Sequence, residues 1–256
     1  MVSKNLRNYI LSLQKKKARE EQQVFVIEGD KLIREFLRSD FSIVNLLAKP
    51  EFISSLPAEL SGRAGEIITV SYDELKKMSS MVTPHNALAV VRMPDVKFSP
   101  SKIFRSLSLA LDTIQDPGNL GTIIRAAAWF GIRNIICTEN SVDVYNPKVI
   151  QATMGAFINV NVYYTDLERF LQKAQKTGIP VYGAFLEGTE IFRQPHGKNG
   201  IILLGNESKG ISDNLAGYVS HRVVIPRISP YNEGVESLNV GMAASIILYE
   251  FTRNNR

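Results

Sequence analysis

Cysteine is almost missing from this chain. Cys137 is the one thiol in 256 residues, which excludes an internal disulfide framework and a cysteine-built zinc cage. It lies in the apolar run Asn134-Ile135-Ile136-Cys137, the setting of a buried structural thiol rather than a nucleophile. Histidine is equally sparse: His85, His196 and His221 are far apart and keep no metal-ligand spacing, so surface or hydrogen-bonded core roles are expected and no metal site. No apolar run approaches the roughly 20 residues that span a bilayer; residues 201–204 and 243–249 are core-length stretches. The opening Met1-Val2-Ser3-Lys4-Asn5-Leu6-Arg7 lacks the apolar segment of an export signal. These absences lead to the expectation of a protein of the reducing cytoplasm, with no membrane partner. Internal repeats and low-complexity tracts are absent too.

What is present is the composition of a folded globular chain, 45% apolar and 21% charged. The formal charge is +5, and residues 1–38 carry +4 of it, with Lys/Arg at 4, 7, 15, 16, 17, 19, 31, 34 and 38 against acids at 20, 21, 28, 30 and 35. A basic end of this kind concentrates polyanions and suits phosphate contacts. Lys15-Lys16-Lys17 alone reads more simply as a solvated helix face.

Leu6, Tyr9, Ile10 and Leu13 recur at helical spacing. A buried strand Val24-Phe25-Val26-Ile27 follows, then a helix from about Asp30 with Leu32, Ile33, Phe36 and Leu37 inward. Strands are expected at 43–47, 67–70 and 87–93, and Ser71-Tyr72-Asp73-Glu74 is a capping-box helix start. The alternation makes a small α/β unit over 1–94. Pro94, Pro100 and the polar residues between them have linker composition, and the linker is set at 95–103. The pattern then restarts for a second domain over 104–256, with strands at 107–111, 134–137, 160–164, 181–185, 201–204 and 223–225. Helices are expected at 122–130, 147–154, 166–176, about 211–219 and about 237–253. Strands alternating with helices imply an α/β class with a mostly parallel, covered sheet. Trp129, beside Phe130 on an apolar helix, is expected in the core.

Three loops beyond strand carboxyl ends stand out, since open α/β sheets place their ligand sites there. The first runs from Asp112 to Arg125. Its Pro117-Gly118 makes a turn, Asn119 is expected to cap the helix, and Arg125, in an apolar run, needs a carboxylate, phosphate or carbonyl partner. The second is Gly205-Asn206-Glu207-Ser208-Lys209-Gly210, whose flanking glycines allow a sharp turn and close backbone approach. It matches neither a P-loop nor the dinucleotide fingerprint. The third covers residues 225–244. Here Ser237 and Asn239 precede a helix whose Gly241, Ala243, Ala244 and Ser245 admit a closely packed neighbour; an N-cap is the plainer role for Ser237.

Each loop is ordinary by itself, but their order and spacing are not. Gln115-Asp116-Pro117-Gly118-Asn119-Leu120-Gly121 with Arg125, then Gly205 to Gly210, then Glu236-Ser237-Leu238-Asn239-Val240 closely resemble the three motifs of the SpoU (TrmH-type) RNA 2′-O-ribose methyltransferases of the SPOUT superfamily. The resemblance covers about 105–250 and extends more loosely to Phe25-Val26-Ile27-Glu28-Gly29, similar to the start of the family's RNA-recruiting domain. It implies a deep trefoil knot in the C-terminal domain, an N-terminal substrate-binding domain like small RNA-binding ribosomal proteins, and a homodimer through the knotted domain. It also implies S-adenosylmethionine as cofactor, held by Leu204, Gly205, Asn206, Ile225, Pro226 and Leu238 with Ala184 in a wall, and Thr153-Met154-Gly155-Ala156 near the cleft. Arg125 is implied as the central catalytic residue, with Asn119, Glu207, Ser237 and Asn239 around it. Guanidinium stays protonated, so a phosphate-holding role suits Arg125 better than that of a base.

The resemblance favours ribosomal RNA of the 23S type as substrate. A transfer-RNA methyltransferase and a non-catalytic RNA-binding protein are the alternatives. A nicotinamide oxidoreductase shares the βα alternation but lacks the glycine fingerprint after Asp112.

Overall fold

The computed structural model describes residues 2–229 and 236–254. Helices α1 (Lys4–Ser12) and α2 (Lys16–Gln22) lead into strand β1 (Val24–Glu28), followed by α3 (Asp30–Arg38) and β2 (Ile43–Ala48). The short helices α4 (Pro50–Ser54) and α5 (Ala58–Ser61), strand β3 (Ala64–Thr69), α6 (Tyr72–Lys76) and β4 (Ala87–Arg92) complete the first half. Next come α7 (Pro100–Ile103), β5 (Leu107–Leu111), α8 (Pro117–Trp129), β6 (Asn134–Cys137), α9 (Pro147–Thr153) and β7 (Asn161–Tyr164). The remainder is α10 (Leu167–Lys176), β8 (Val181–Glu190), β9 (Gly200–Leu204), α11 (Asp213–Ala216), β10 (His221–Val224) and α12 (Val240–Thr252).

These elements form two units. One contains the chain up to Val96 together with Asp143–Ile158; the other contains Lys97–Val142 and the chain from Asn159 onward. The domain expected over 104–256 therefore has an excursion, between β6 and β7, that folds with the first unit. Within the expected linker, α7 is a helical turn that buries Ile103.

In the first unit the sheet order is β1-β4-β2-β3, with β4 antiparallel to β1 and β2, and β2 parallel to β3. Ile10 and Leu13 of α1 meet Val24, Leu47, Leu88 and Val90 of the sheet and Leu75 and Met78 at α6. Elsewhere in the unit, Phe25, Phe36 and Phe41 form an aromatic cluster. Tyr145 and Phe157 from the excursion complete it, with ring centroids 4.9 and 6.0 Å from Phe25. Such edge and tilted contacts add to simple area burial. The same excursion supplies Asp143 to Arg19, which is only 2% exposed and also donates to the carbonyls of Leu13 and Gln14 at 2.8 Å. Buried charge persists when paired and hydrogen-bonded in this way. Ser71 and Glu74 form the expected capping box. Amide donation from Ser71 and Val2 holds the Glu74 carboxyl below its ordinary pKa. Lys16 and Lys17 are exposed and face Glu20 and Glu21, as a solvated helix face should.

In the second unit the order is β10-β8-β9-β5-β6-β7, and every pairing is parallel. Strands β5 and β9 are buried along their whole length, which explains their unbroken apolar runs. From β5 the chain winds out through β6 and β7, then returns for β8, β9 and β10 on the other side. The order reverses between β5 and β9, and ligand sites of open α/β sheets lie at such a point. Helix α12 packs on α8, where a Cβ on Gly241 would come 2.9 Å from Thr122 Cγ2. Cys137 is fully buried, and desolvation raises its thiol pKa well above the usual range. His196 stacks on Phe251 and His221 on Tyr182.

Trp129 corrects an expectation: it is 84% exposed. Leu120, Ile123, Ile124 and Ala127 already supply the inward stripe of α8. Trp129 falls on the opposite side with Arg125, four residues before it.

Candidate active site

Helix α8 begins at Pro117, five residues before the apolar run that announces it. Asp116 is its N-cap, accepting the Asn119 amide at 2.8 Å. The proline has no amide to satisfy at that position. Asn119, expected to be the cap, is instead inside the first turn, and its carboxamide is free for other contacts. It donates to Glu207 Oε1 at 3.0 Å and accepts from Asn239 Nδ2 at 2.8 Å. One side chain thus joins its own helix to segments 88 and 120 residues further along the sequence.

Two further staples hold the first and second loops. Asn206 Nδ2 donates to the Thr113 carbonyl at 2.8 Å, and Asp112 Oδ2 accepts the Ser212 amide at 2.8 Å. Thr113 adopts φ +57°, a conformation costly for a β-branched residue. Its amide is held by Thr138 Oγ1 at 2.8 Å and its hydroxyl by Asp112. Asn206 also organises its own turn: Oδ1 accepts the amides of Ser208 and Lys209, and its backbone pairs both ways with Gly210 at 2.9 Å. A Cβ on Gly205 would lie 2.1 Å from the Gly210 carbonyl carbon. Only glycine fits there.

Asn239, rather than Ser237, caps α12. Its Oδ1 accepts from Gly241 and Met242 at 2.9 and 3.3 Å while its Nδ2 reaches Asn119. Ser237 is exposed, two residues before the cap. Residues 230–235 of the third loop lie outside the described residues.

Arg125 departs from the sequence-based expectation of a charge needing a partner in apolar surroundings. It is exposed, and no hydrogen bond or ion pair engages it among the described residues. Six residues along a helix rotate a side chain by roughly 120° away from Asn119. The structure therefore brings together Asn119, Glu207 and Asn239, and leaves Arg125 on a different face.

Of the expected cofactor residues, Leu204 ends β9 with Gly205 and Asn206 after it, Ile225 and Pro226 follow β10, Ala184 lies within β8, and Leu238 precedes α12. Gly183 pairs with Leu203 on one side and Arg222 on the other, which sets Ala184 beside buried Leu204. The β8–β10 register then slips, with Val223 opposite Thr189, so residues 184–188 leave the ladder. Half-buried Ile225 and Pro226 follow β10 directly, and Leu238 is exposed. Thr153 to Ala156 belong to the first unit, where Gly155 at φ +91° lies against Glu35.

Sequence reasoning missed a polar cleft of about 650 Å³ at the carboxyl ends of β5, β6 and β7, lined by Asp112, Thr138, Glu139, Asp166 and Ser212 among others. None of the expected cofactor residues lines it. Its loops carry no glycine signature, and only the threonines and acids after each strand mark them.

Comparison with known proteins assigns the chain to a family. Residues 106–249 match the model of the SpoU rRNA Methylase family, and residues 8–89 match the MRM3-like substrate binding domain. The chain belongs to the SpoU rRNA methylase family. It is 29% identical over 238 residues to a 23S rRNA (guanosine(2553)-2′-O)-methyltransferase of Bacillus subtilis, covering 93% of this chain and 92% of the relative. A TrmH-family protein from Porphyromonas gingivalis is 35% identical and superposes with a TM-score of 0.87, covering 99% of both chains. An AdoMet-bound rRNA methyltransferase from Sinorhizobium meliloti is 26% identical with a TM-score of 0.86, covering 99% of this chain and 97% of that one.

Proposed function

We propose that this chain transfers the methyl group of S-adenosylmethionine to a ribose 2′-hydroxyl of ribosomal RNA. The observation that carries the reading is the Glu207–Asn119–Asn239 hydrogen-bond chain, assembled at the strand-order reversal of a SpoU-family fold. Ala184, Leu204, Ile225, Pro226 and Leu238 offer apolar side chains beside turning backbone, and Gly205 lets the Gly210 backbone close against the end of β9. That donor set fits an adenosine and a methionine chain, and these residues would hold them. The bound cofactor supplies an electrophilic methyl on a positive sulfur.

The protein's own work is then alignment and charge placement. Asn119 holds the Glu207 carboxylate and the Asn239 carboxamide in fixed relation, and Asn206 fixes the loop that carries Glu207. A 2′-hydroxyl brought to this cluster meets acceptors able to orient its proton. Arg125, unpartnered among the described residues, is suited to a phosphate of the RNA. Ser237, one residue before Leu238, adds a hydroxyl on the same approach.

A homodimer fits the exposed face beside Arg125. Trp129 on α8 and Met242, Ile246 and Tyr249 on α12 are exposed together, with Tyr249 6.3 Å from Phe130. Apolar spacing of four and three residues along one helix, left in water, marks a docking face. A second copy there would bring Arg125 to a neighbouring site. The trefoil knot belongs to the same reading. Two placements support it: strand β10 lies outside β8, and α12, the next described helix, packs on α8. The reaction is placed in the cytoplasm.

Calorimetry with S-adenosylmethionine, then transfer of labelled methyl to unmodified 23S rRNA with ribose mapping, tests the reading. Arg125→Ala is expected to keep cofactor affinity and lose turnover; full turnover would refute its role. Trp129→Glu is expected to yield a monomeric mass by light scattering at micromolar concentration. A monomeric wild type would remove the dimer.

A further inference from the structure

Three strands of the first unit end where its fourth begins. Glu28 of β1 is opposite Leu88, and Ala48 of β2 is opposite both Ala87 of β4 and Thr69 of β3. One edge of the sheet therefore carries the turns that follow β1, β2 and β3 and the 77–86 loop that enters β4.

The carboxylates of this edge are largely used within it. Glu28 accepts the Ser80 amide at 2.8 Å, the Ser80 hydroxyl at 2.6 Å and the Ser79 hydroxyl. Asp30 accepts the Asn86 amide at 3.1 Å and its Nδ2 at 2.7 Å. Glu74 is taken by Ser71 and the Val2 amide. The lysines are not used in this way. Among the described residues Lys49 Nζ reaches the side-chain oxygen of Asn86, at 3.0 Å, and no carboxylate, and it lies 5.7 Å over the ring of Tyr72. Lys76 and Lys77, on and just after α6, are exposed and have no carboxylate partner among the described residues. Asp73 of α6 and Glu51 of α4 are exposed acids among them.

Two apolar groups share this edge with the lysines. Tyr72 is exposed, and Val82 is 99% exposed at the tip of the 77–86 loop. The loop is anchored on both sides of that tip, through Ser79 and Ser80 to Glu28 and through buried Pro84 and Asn86. A valine held fully in water on an anchored loop contributes nothing to the core of this chain. Exposed aromatic and apolar groups set among lysines match the chemistry of unpaired RNA. Splayed bases offer apolar faces while their phosphates take the charge. A regular duplex hides those faces.

We propose that this edge is the surface by which the first unit grips a looped, single-stranded stretch of RNA, with Lys49, Lys76 and Lys77 on phosphates and Tyr72 and Val82 against bases. The inference rests on the reading of the chain as an RNA methyltransferase and specifies where its substrate is held. The match of residues 8–89 to a substrate-binding domain agrees with the unit but assigns no face.

The test uses the full chain, an unmodified 23S rRNA transcript, and binding measured across a salt series. The triple variant Lys49→Ala/Lys76→Ala/Lys77→Ala is expected to bind about tenfold more weakly at 0.15 M salt. Its plot of log K against log salt should be shallower by about 2, three contacts at roughly 0.7 each on single strands. Tyr72→Ala and Val82→Ser are expected to weaken binding by about tenfold with the wild-type slope. Lys16→Glu/Lys17→Glu, on the helix that enters the opposite edge of β1, should bind as wild type. All variants should keep the wild-type melting temperature and S-adenosylmethionine affinity. Wild-type affinity and slope in the triple variant would overturn the proposal, and so would loss confined to the Lys16/Lys17 variant. If the wild type methylates the transcript while the triple variant binds normally, this surface alone is wrong. A wild type that takes up no S-adenosylmethionine and methylates nothing defeats the enzymatic reading instead.

Discussion

Replacing Asn239 by aspartate separates two jobs that one side chain performs. Its Oδ1 caps α12 through Gly241 and Met242, and its Nδ2 donates to Asn119. Aspartate keeps the acceptor, and its charge is favourable at a helix N-terminus by about 0.3–1 kcal/mol. It has no donor for Asn119 Oδ1. Asn119 must then lose that partner or turn its amide and give up Glu207. Either way one hydrogen bond of about 1 kcal/mol is lost, and a carboxylate oxygen faces a second acceptor. If that alignment is needed at the transition state, a loss of about 1–2 kcal/mol lowers kcat by roughly 5- to 30-fold. Asn239→Ala removes both jobs and adds a capping cost of about 1 kcal/mol, a melting shift of roughly 2–4 °C for a chain of this size. The assay is single-turnover methyl transfer beside thermal unfolding and calorimetry. Asn239→Asp is expected to melt near wild type, bind S-adenosylmethionine normally and turn over about tenfold more slowly. The pair Asn119→Ala/Asn239→Asp should be little slower than Asn119→Ala alone, a coupling near 1 kcal/mol. Wild-type kcat in Asn239→Asp, or strictly multiplicative losses in the pair, would refute the hydrogen-bond chain as a functional unit.

Other outcomes follow from single contacts. Gly205→Ala drives a methyl into the Gly210 backbone; a stability cost above about 2 kcal/mol by denaturant titration and weaker cofactor binding are expected, and a neutral substitution would show that the turn can open freely. Asp143→Ala strands the Arg19 guanidinium on two carbonyls and should cost about 3–5 kcal/mol, with an unshifted urea midpoint as the contrary result. Burial, and secondarily Asp143, push the Tyr145 hydroxyl up to about 12. The unfolded chain loses that proton near pH 10, so the contribution is complete below pH 10. It declines by about 3 kcal/mol between roughly pH 10 and 12. Tyr145→Phe should flatten that alkaline decline, and an unchanged slope of stability against pH would assign it to another group.

Much of the architecture was legible because strands buried on both faces write themselves as apolar runs, as in residues 107–111 and 201–204. The ends of helices were less legible. The start of α8 was hidden because Pro117, Gly118 and Asn119 look like a turn, while the capping carboxylate of Asp116 makes them helical. Trp129 was misplaced because it reads with Phe130 as part of an apolar run, although Arg125, four residues earlier on the same side, marks that side as outward. The motif residues Asn119, Glu207 and Asn239 were named from order and spacing, but their mutual contacts required the fold. No local pattern could place Arg19 against Asp143, since the pairing spans 124 positions.

The excursion between β6 and β7 gives the chain an unusual genetic layout. A substrate-recognition module exchanged between relatives by swapping only residues 1–96 would arrive with Phe25 uncovered and Arg19 without its counter-ion. Transplantation needs two cassettes, the N-terminal stretch and residues 143–158, cut from the same donor. Deletions between β6 and β7 would likewise damage the first unit from a distance along the gene.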